Sequence, residues 1–262
     1  MAQPAAGTPG PPAPGALDGR PARSARGAGS PGAAADLTAL PPIHGDFDTD
    51  GYAIVPGVLP AETCTALTDR LHAHGAGTRE LLAQPWCAAL ADTLHTHPAL
   101  TPRLPATHAA IQCTGFDKSA GQNWLVPIHQ DLSIPVAERI DDPALQGWPE
   151  KEGRLYVQPP RQVLEALIAV RLHLDDCGAA AGRLRVVPGS HRQGRLTQAQ
   201  MLTERERRGE VACLSDRGGV LLMRPLLLHA SSRSTGALSR RVLHFVFGPR
   251  TLPLGLRWAQ AV

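Results

Sequence analysis

The feature that most constrains the fold is a series of short apolar segments, rich in β-branched residues, that Gly and Pro interrupt. They begin near residue 109 and read HAAIQCTGF, NWLVPIHQDLSI, LEALIAVRLHLDD, GRLRVVPGS, GVLLMRPLLLHAS and RRVLHFVFG. Each segment has the length and composition of a β-strand, and no long amphipathic helices alternate with them. The pattern therefore favours an antiparallel sandwich or barrel over a parallel α/β fold.

The part of the chain before these strands predicts a strand followed by two helices. Ordered sequence begins at GDFDTDGYAIVPGVLP, where Tyr52 and Ile54 indicate a short strand. Pro60 is placed to open a helix through AETCTALTDRLHAH, and a second helix is expected from about Arg79 to His95. We therefore predict N-terminal α-helices that flank the β domain.

Residues 1–42 consist mostly of Ala, Gly and Pro, so they contain too little apolar surface to offset the entropy of ordering them. We predict a disordered tail followed by one catalytic domain, residues 43–262. A mitochondrial presequence is the alternative, because Arg20, Arg23 and Arg26 outnumber acidic residues there. The dense Pro and Gly oppose the amphipathic helix that such a signal requires.

Charge and composition exclude several classes of partner. The net charge is only +3, and basic residues alternate with acidic ones, so we expect no nucleic-acid partner. No run of residues is apolar enough to span a bilayer, so no membrane association is expected. The five cysteines form no CxxC pair, which is typical of reduced cysteines in a cytoplasmic protein.

Three residues have the pattern of a metal site. His129 and Asp131 are two apart in a predicted strand, so both side chains lie on one face and Gln130 lies on the other. An HxD triplet alone is weak evidence, but a second apolar strand ends at His229. Two imidazoles and one carboxylate leave coordination positions open, which suits iron(II), whereas structural zinc is closed by four protein ligands.

Arg240 lies in the strand after His229 and has two interpretations. A guanidinium inside a barrel can bind a carboxylate through two parallel hydrogen bonds, as the distal carboxylate of 2-oxoglutarate would require. The alternative is a surface arginine on an edge strand. Arg241 must point to the opposite face.

Taken together, these residues resemble the phytanoyl-CoA dioxygenase family. The resemblance covers residues 46 to 249 and rests on DGYAIVPGVLP, the HQD triplet at 129–131, VVPGSH at 186–191, and HASSRSTGALSR, which ends at Arg240, eleven positions after His229. It implies a mainly β, cupin-like jelly roll (a double-stranded β-helix), with iron(II) bound by His129, Asp131 and His229. It also implies 2-oxoglutarate as cosubstrate, bound by Arg240 and Ser231.

The activity that the resemblance implies is hydroxylation of an unactivated carbon with O2, while 2-oxoglutarate becomes succinate and carbon dioxide. Relatives that chlorinate their substrates lack the carboxylate of Asp131, so its presence favours hydroxylation. The low aromatic content and the lack of a basic patch for coenzyme A favour a small-molecule metabolite as substrate. Two other functions stay open, a non-catalytic binding protein with this fold and a metal-dependent isomerase or hydrolase, although Arg240 argues against the latter.

The chain departs from the family at Arg171, where fatty-acyl members carry Trp. Arg171 and His173 share one strand face, which would point either to the cavity or to solvent. His244 shares the inward face with Arg240 and would contact substrate or be an ordinary buried histidine. The further candidate contacts are Gln112 for cosubstrate or substrate, Lys118 and Asn123 near the cavity mouth, and Trp148 for substrate.

Residues 132–162 form an unusually long connection between predicted strands. The segment contains Trp148 and Tyr156 among mixed charges, a composition that suits a lid which closes over an apolar substrate. The alternative is a fixed surface excursion.

Overall fold

Two long strands organise the fold, β2 (His108–Lys118) and β12 (Arg240–Pro249), which pair antiparallel from end to end. In this computed structural model the described residues are 43–71, 77–119, 121–178, 180–236 and 239–262, all within the unit Ala39–Val262. The tail predicted over residues 1–42 lies outside the described residues.

The larger sheet has the order β1-β10-β7-β12-β2. Its remaining strands are β1 (Tyr52–Val55), β7 (Ile168–His173) and β10 (Val220–Met223). A second sheet has the order β3-β11-β8-β9, formed by Val126–His129, His229–Ser231, Leu184–Val186 and Val211–Ala212. All pairings are antiparallel, which confirms the predicted mainly β jelly roll.

A third, small sheet lies within residues 132–162. Its order is β4-β6-β5, with the bounds Ile134–Pro135, Arg154–Val157 and Glu150–Lys151. The segment predicted to be either a lid or a fixed surface excursion therefore contains a small antiparallel sheet.

The described residues form four α-helices beside the sheets: α1 (Ala61–Thr68), α2 (Pro85–Thr96), α3 (Arg161–Ala166) and α4 (Gln198–Arg208). Two 3-10 helices cover Leu81–Ala83 and Ser190–Gln193. The predicted second helix is present as α2. The 3-10 helix Leu81–Ala83 precedes it, and Gln84, which is extended, separates the two. No helix among the described residues is long and apolar enough to cross a membrane.

The main core lies between the larger sheet and the N-terminal helices. Leu90 and Leu94 of α2 belong to one buried cluster with Leu172 of β7 and Phe245 of β12. Because successive strand side chains alternate between faces, the odd positions 171 and 173 of β7 and the even positions 240 to 244 of β12 point away from the helices. That opposite face of the sheet forms one wall of a cavity.

Candidate metal centre and its cavity

His129 and His229 are cross-strand neighbours. His129 is the last residue of β3, His229 is the first of β11, and the two are paired in the antiparallel register. Their ring centroids are 4.1 Å apart. Strand pairing thus brings together two imidazoles that are one hundred positions apart in the sequence.

Asp131 completes the cluster from a position just beyond the end of β3, where its backbone N–H donates to the carbonyl oxygen of Pro225 at 2.9 Å. Its Oδ1 is 3.8 Å from Nε2 of His129, and its Oδ2 is 3.8 Å from Nε2 of His229. The ligand atoms of the three residues all lie within 4.8 Å of one another.

Both histidines are oriented by hydrogen bonds to the backbone. Nδ1 of His129 is 2.9 Å from the carbonyl oxygen of Pro127, and Nδ1 of His229 is 2.8 Å from that of Leu227. Because a carbonyl only accepts hydrogen bonds, each Nδ1 must carry the proton. The Nε2 lone pairs then face the cluster centre, as metal ligation requires.

The electrostatics of the cluster favour a neutral imidazole at His229 and an ionised carboxylate at Asp131. Burial, followed by the neighbouring His129, lowers the pKa of His229 to about 4. Partial desolvation raises the pKa of Asp131, but His229 and His129 outweigh it and the net pKa is lowered. Near neutral pH His229 and Asp131 are therefore in the protonation states that bind a metal.

Gln130 points away from the cluster, as predicted, and joins three segments. Its Nε2 donates to the carbonyl oxygens of Gly194 and Leu226, both at 2.7 Å, and its Oε1 accepts from the backbone N–H of Leu196 at 2.9 Å. These buried bonds fix the position of the HxD triplet against the loops around it.

The three residues lie in the wall of a cavity of about 540 Å³, a volume suited to small molecules. Alternate residues of β2, Gln112, Thr114 and Phe116, form part of the wall. Gln112 donates to Thr114 Oγ1 at 3.0 Å. The sequence analysis missed Thr114 and Phe116, which the two-residue period from Gln112 would have found.

Arg240 is buried in this cavity and is 2% exposed. Its Nε and Nη1 atoms have no hydrogen-bond partner among the described residues. The surface alternative for Arg240 is therefore wrong. Arg241 points to the other face, where its Nε and Nη2 each donate to Asp175 at 2.8 Å.

Lys118, the last residue of β2, is paired with Arg240 of β12. Lys118 is fully buried, so its predicted place at the cavity mouth is wrong. Its Nζ donates to Ser231 Oγ at 2.8 Å and to the carbonyl oxygen of Ser232 at 2.7 Å. Burial, then Arg240 and Arg171, lower its pKa to about 8. Arg240 and Ser231 line the cavity, and Lys118 is bonded to Ser231 from within the protein. We call the part of the cavity wall formed by Arg240 and Ser231, with Lys118, the base of the cavity.

Arg171 and His173 are both buried, so the solvent alternative for their strand face is wrong. Arg171 lines the cavity with its guanidinium 5.4 Å from the ring of Phe116. His244 also lines the cavity, opposite Arg171 in the strand register. Burial, then Arg171, lower the pKa of both histidines, to about 3 for His173 and about 4 for His244.

Besides Lys118, two nominated residues, Asn123 and Trp148, are not among those that line the cavity. The Asn123 side chain binds the segment that follows β11. Its Nδ2 donates to the carbonyl oxygen of Ser234, and its Oδ1 accepts from the N–H of Ser234. Trp148 packs against a secondary apolar cluster and has the guanidinium of Arg139 5.4 Å from its ring. The described structure gives neither residue a contact with the cavity.

The segment 132–162 contributes Ile134, Lys151 and Tyr156 to the wall instead. Ile134 is buried, and Tyr156 places its hydroxyl 3.4 Å from Gln112 Oε1. The backbone N–H of Ala137 donates to Arg257 near the C-terminus. This packing favours the fixed alternative for the strands of the segment, with Lys151 and Tyr156 as contacts that the sequence analysis did not nominate.

The donor set fits a catalytic metal of the iron(II) type. Two imidazole nitrogens and one carboxylate come from one side of the site, and the Asp131 side chain is 43% exposed on the cavity side. The unpartnered guanidinium of Arg240 in the same cavity fits a carboxylate ligand.

Solved structures with the same fold include a non-haem, α-ketoglutarate-dependent enzyme and a protein solved with nickel and 2-oxoglutarate. The carbocyclase SnoK from nogalamycin biosynthesis, described as α-ketoglutarate dependent, is 16% identical, with a TM-score of 0.57 over 77% of this chain and 81% of that chain. HygX from Streptomyces hygroscopicus, solved with nickel, 2-oxoglutarate and hygromycin B, is 21% identical, with a TM-score of 0.54 over 78% and 84%. EctD from S. alaskensis is 18% identical, with a TM-score of 0.54 over 77% and 74%.

These likenesses establish the fold. The comparison with curated proteins gives no significant match. A family model described as phytanoyl-CoA dioxygenase matches residues 47–242, which is well over half of the chain and includes the three clustered residues and Arg240. The chain therefore belongs to the phytanoyl-CoA dioxygenase family.

Proposed function

We propose that this protein is an iron(II)- and 2-oxoglutarate-dependent dioxygenase that hydroxylates an unactivated carbon of a small-molecule metabolite. One observation carries the proposal: a two-histidine, one-carboxylate cluster and a buried guanidinium with unpartnered donors line the same cavity. A binding protein would need neither an open metal face nor a second anchor for a chelating dicarboxylate.

Iron(II), when bound, would activate dioxygen together with 2-oxoglutarate, which is oxidised to succinate and carbon dioxide. The protein supplies orientation and charge. The Pro127 and Leu227 carbonyls hold the imidazoles with Nε2 toward the site. Asp131 contributes the negative charge that balances part of the cation's charge.

The base of the cavity would hold the cosubstrate. The buried guanidinium of Arg240, whose Nε and Nη1 have no partner among the described residues, can donate two parallel hydrogen bonds from one of its edges to the distal carboxylate of 2-oxoglutarate. Lys118 adds positive charge from the paired strand and keeps the Ser231 hydroxyl in position beside it. The other end of the cosubstrate is then directed toward the three metal ligands.

Hydroxylation is the outcome that Asp131 favours, because its carboxylate occupies the ligand position that a halide would need for chlorination. The fold itself does not decide the reaction, since structures of this type are described as a carbocyclase and as an epimerase. Oxygen incorporation therefore has to be measured directly.

The test is succinate formation by the purified protein with iron(II), 2-oxoglutarate and 18O2 in the presence of candidate metabolites. We expect succinate that depends on iron and oxygen, stimulated by a metabolite whose product gains one 18O atom. The Asp131→Ala variant is the control and should form none. Stimulated succinate without 18O in the product would contradict hydroxylation, and no succinate under any condition would favour the non-catalytic alternative.

A further inference from the structure

The cavity has an imbalance of charge. Among the described residues that line it, four are cationic, Arg79, Lys151, Arg171 and Arg240, and Asp131 is the one carboxylate. Asp131 belongs to the metal cluster, so it does not neutralise the arginines as a dedicated partner. The cavity therefore has the electrostatic character of an anion-binding site with more than one anionic group to accommodate.

Two of the four cations already have a role or a partner. Arg79 forms an ion pair with Glu152. Arg240 is assigned to the distal carboxylate of 2-oxoglutarate. Arg171 and Lys151 remain, and neither has a carboxylate within ion-pair distance in the described part of the chain.

Arg171 is the more constrained of these two. It is 6% exposed, and its buried Nε has no hydrogen-bond partner among the described residues. The carboxylate of Asp175, two residues beyond the end of β7, is bound by Arg241. Burying the charged guanidinium without a partner costs free energy, and an anion that enters the cavity and binds it would offset that cost.

The free protein shows this cost. Burial, followed by repulsion from Arg240, lowers the pKa of Arg171 to about 9. The backbone positions of the two arginines are well separated, because Arg171 is opposite His244, four positions along β12 from Arg240. Four strand residues span roughly 13 Å. Lys118 and Ser231 belong to the Arg240 end.

We propose that the primary substrate carries a negatively charged group, a carboxylate or a phosphate, and that the Arg171 guanidinium binds this group inside the cavity. The proposal rests on the proposed function, which assigns Arg240 to the cosubstrate. The Phe116 ring against the guanidinium restricts its orientation and leaves the edge of the fork for a two-point contact. The substrate class is therefore small anionic metabolites.

Lys151 supports the same conclusion. Its Nζ is 4.8 Å from the centroid of the Tyr156 ring, and both residues line the cavity. Lys151 is partly exposed, unlike Arg171, so it is placed to attract an anion from solvent before Arg171 binds it.

The experiment measures anion binding to the anaerobic complex of protein, iron(II) and 2-oxoglutarate. The probes are inorganic phosphate, phenylacetate and the neutral phenylacetamide. Their binding is measured by calorimetry and by the change in the visible charge-transfer absorption of the complex. Phosphate or phenylacetate should bind, and phenylacetamide should not. The stronger of the two anions indicates which group the substrate carries.

The variant Arg171→Gln should weaken anion binding by about tenfold or more while its 2-oxoglutarate affinity stays within about threefold of wild type. Arg257→Gln, which removes an exposed arginine outside the cavity, is the matched control and should leave both affinities unchanged. Anion binding that is absent in the wild type, or unaffected in Arg171→Gln, would overturn the inference.

A large loss of 2-oxoglutarate affinity in Arg171→Gln would also overturn it, because Arg171 would then belong to the cosubstrate site. Failure of the proposed function is distinguishable, since the wild type would then show no absorption band with iron(II) and 2-oxoglutarate before any probe is added. Calorimetry with the anions still measures the role of Arg171 in that case.

Discussion

Replacing Arg240 by alanine removes the proposed anchor of 2-oxoglutarate. Nε and Nη1 of Arg240 have no partner among the described residues, and a two-point contact between one edge of this guanidinium and the cosubstrate contains two charge-assisted hydrogen bonds that the variant loses. Part of that loss is offset because the free variant no longer contains a buried, unpaired charge. We therefore expect a net cost of about 2 to 4 kcal/mol, which weakens 2-oxoglutarate binding by about 30-fold to 1,000-fold.

Calorimetric titration of the anaerobic iron(II) protein with 2-oxoglutarate measures this cost. Iron binding should be retained, because Arg240 is not one of the three metal-cluster residues. The neighbouring residue provides a matched control. Arg241 is bound to Asp175 on the opposite face, so Arg241→Ala should lower thermal stability and leave 2-oxoglutarate affinity unchanged.

The proposed role of Arg240 is refuted if Arg240→Ala binds 2-oxoglutarate within about threefold of wild type. The loss of even one charge-assisted hydrogen bond would weaken binding by more than that. It is also refuted if Arg241→Ala and Arg240→Ala lose 2-oxoglutarate affinity equally. The effect would then come from the stability of β12 and not from a direct contact.

Three further predictions concern other parts of the chain. His129→Ala, Asp131→Ala and His229→Ala should each weaken iron(II) binding by more than the roughly 10- to 100-fold that loss of a ligand's hydrogen-bond partner costs, and near-normal affinity in any one would exclude that residue as a ligand. Gln130→Ala deletes three buried hydrogen bonds and should lower the free energy of unfolding by about 3 kcal/mol in denaturant titration, whereas a change under about 1 kcal/mol would contradict its clamping role. Deleting residues 1–42 should leave activity and melting temperature unchanged, and a loss of several degrees would show that the segment packs on the domain.

The elements that could be predicted from sequence are those in which local pattern and tertiary packing agree. β2 and β12 alternate between an apolar face against the helices and a polar face on the cavity, so their period of two is visible in the residues themselves. His129, Asp131 and His229 were found for the same reason, because strand periodicity and a recognisable spacing both point to them.

Helix α4 shows why other elements were missed. It is polar on nearly every side and buries Met201 alone, so it has no apolar stripe for a periodicity analysis to find. Its remaining signal is a capping box, in which Thr197 accepts from the N–H of Gln200 and the Gln200 side chain accepts from the N–H of Thr197. That pattern was present in the sequence and was not used.

The orientation of Arg171 and the order of residues 132–162 depended on tertiary structure. Whether the polar face of β7 meets solvent or a cavity is decided by which face the helices cover, and that packing is not encoded within β7. The small sheet of residues 132–162 is stabilised by partners distant in sequence, such as the bridge from Val136 to Trp258. Neither fact leaves a local pattern.

The central claim is that His129, Asp131 and His229 together bind one iron(II) to which 2-oxoglutarate is added. Anaerobic titration of the purified protein with iron(II), followed by 2-oxoglutarate, measures it directly. We expect one iron(II) per chain and a visible absorption band that appears when 2-oxoglutarate is added. Both should be lost in a variant with all three residues replaced by alanine. A wild-type protein that binds no iron(II), or a triple variant that binds it as tightly and still forms the band, would contradict the account.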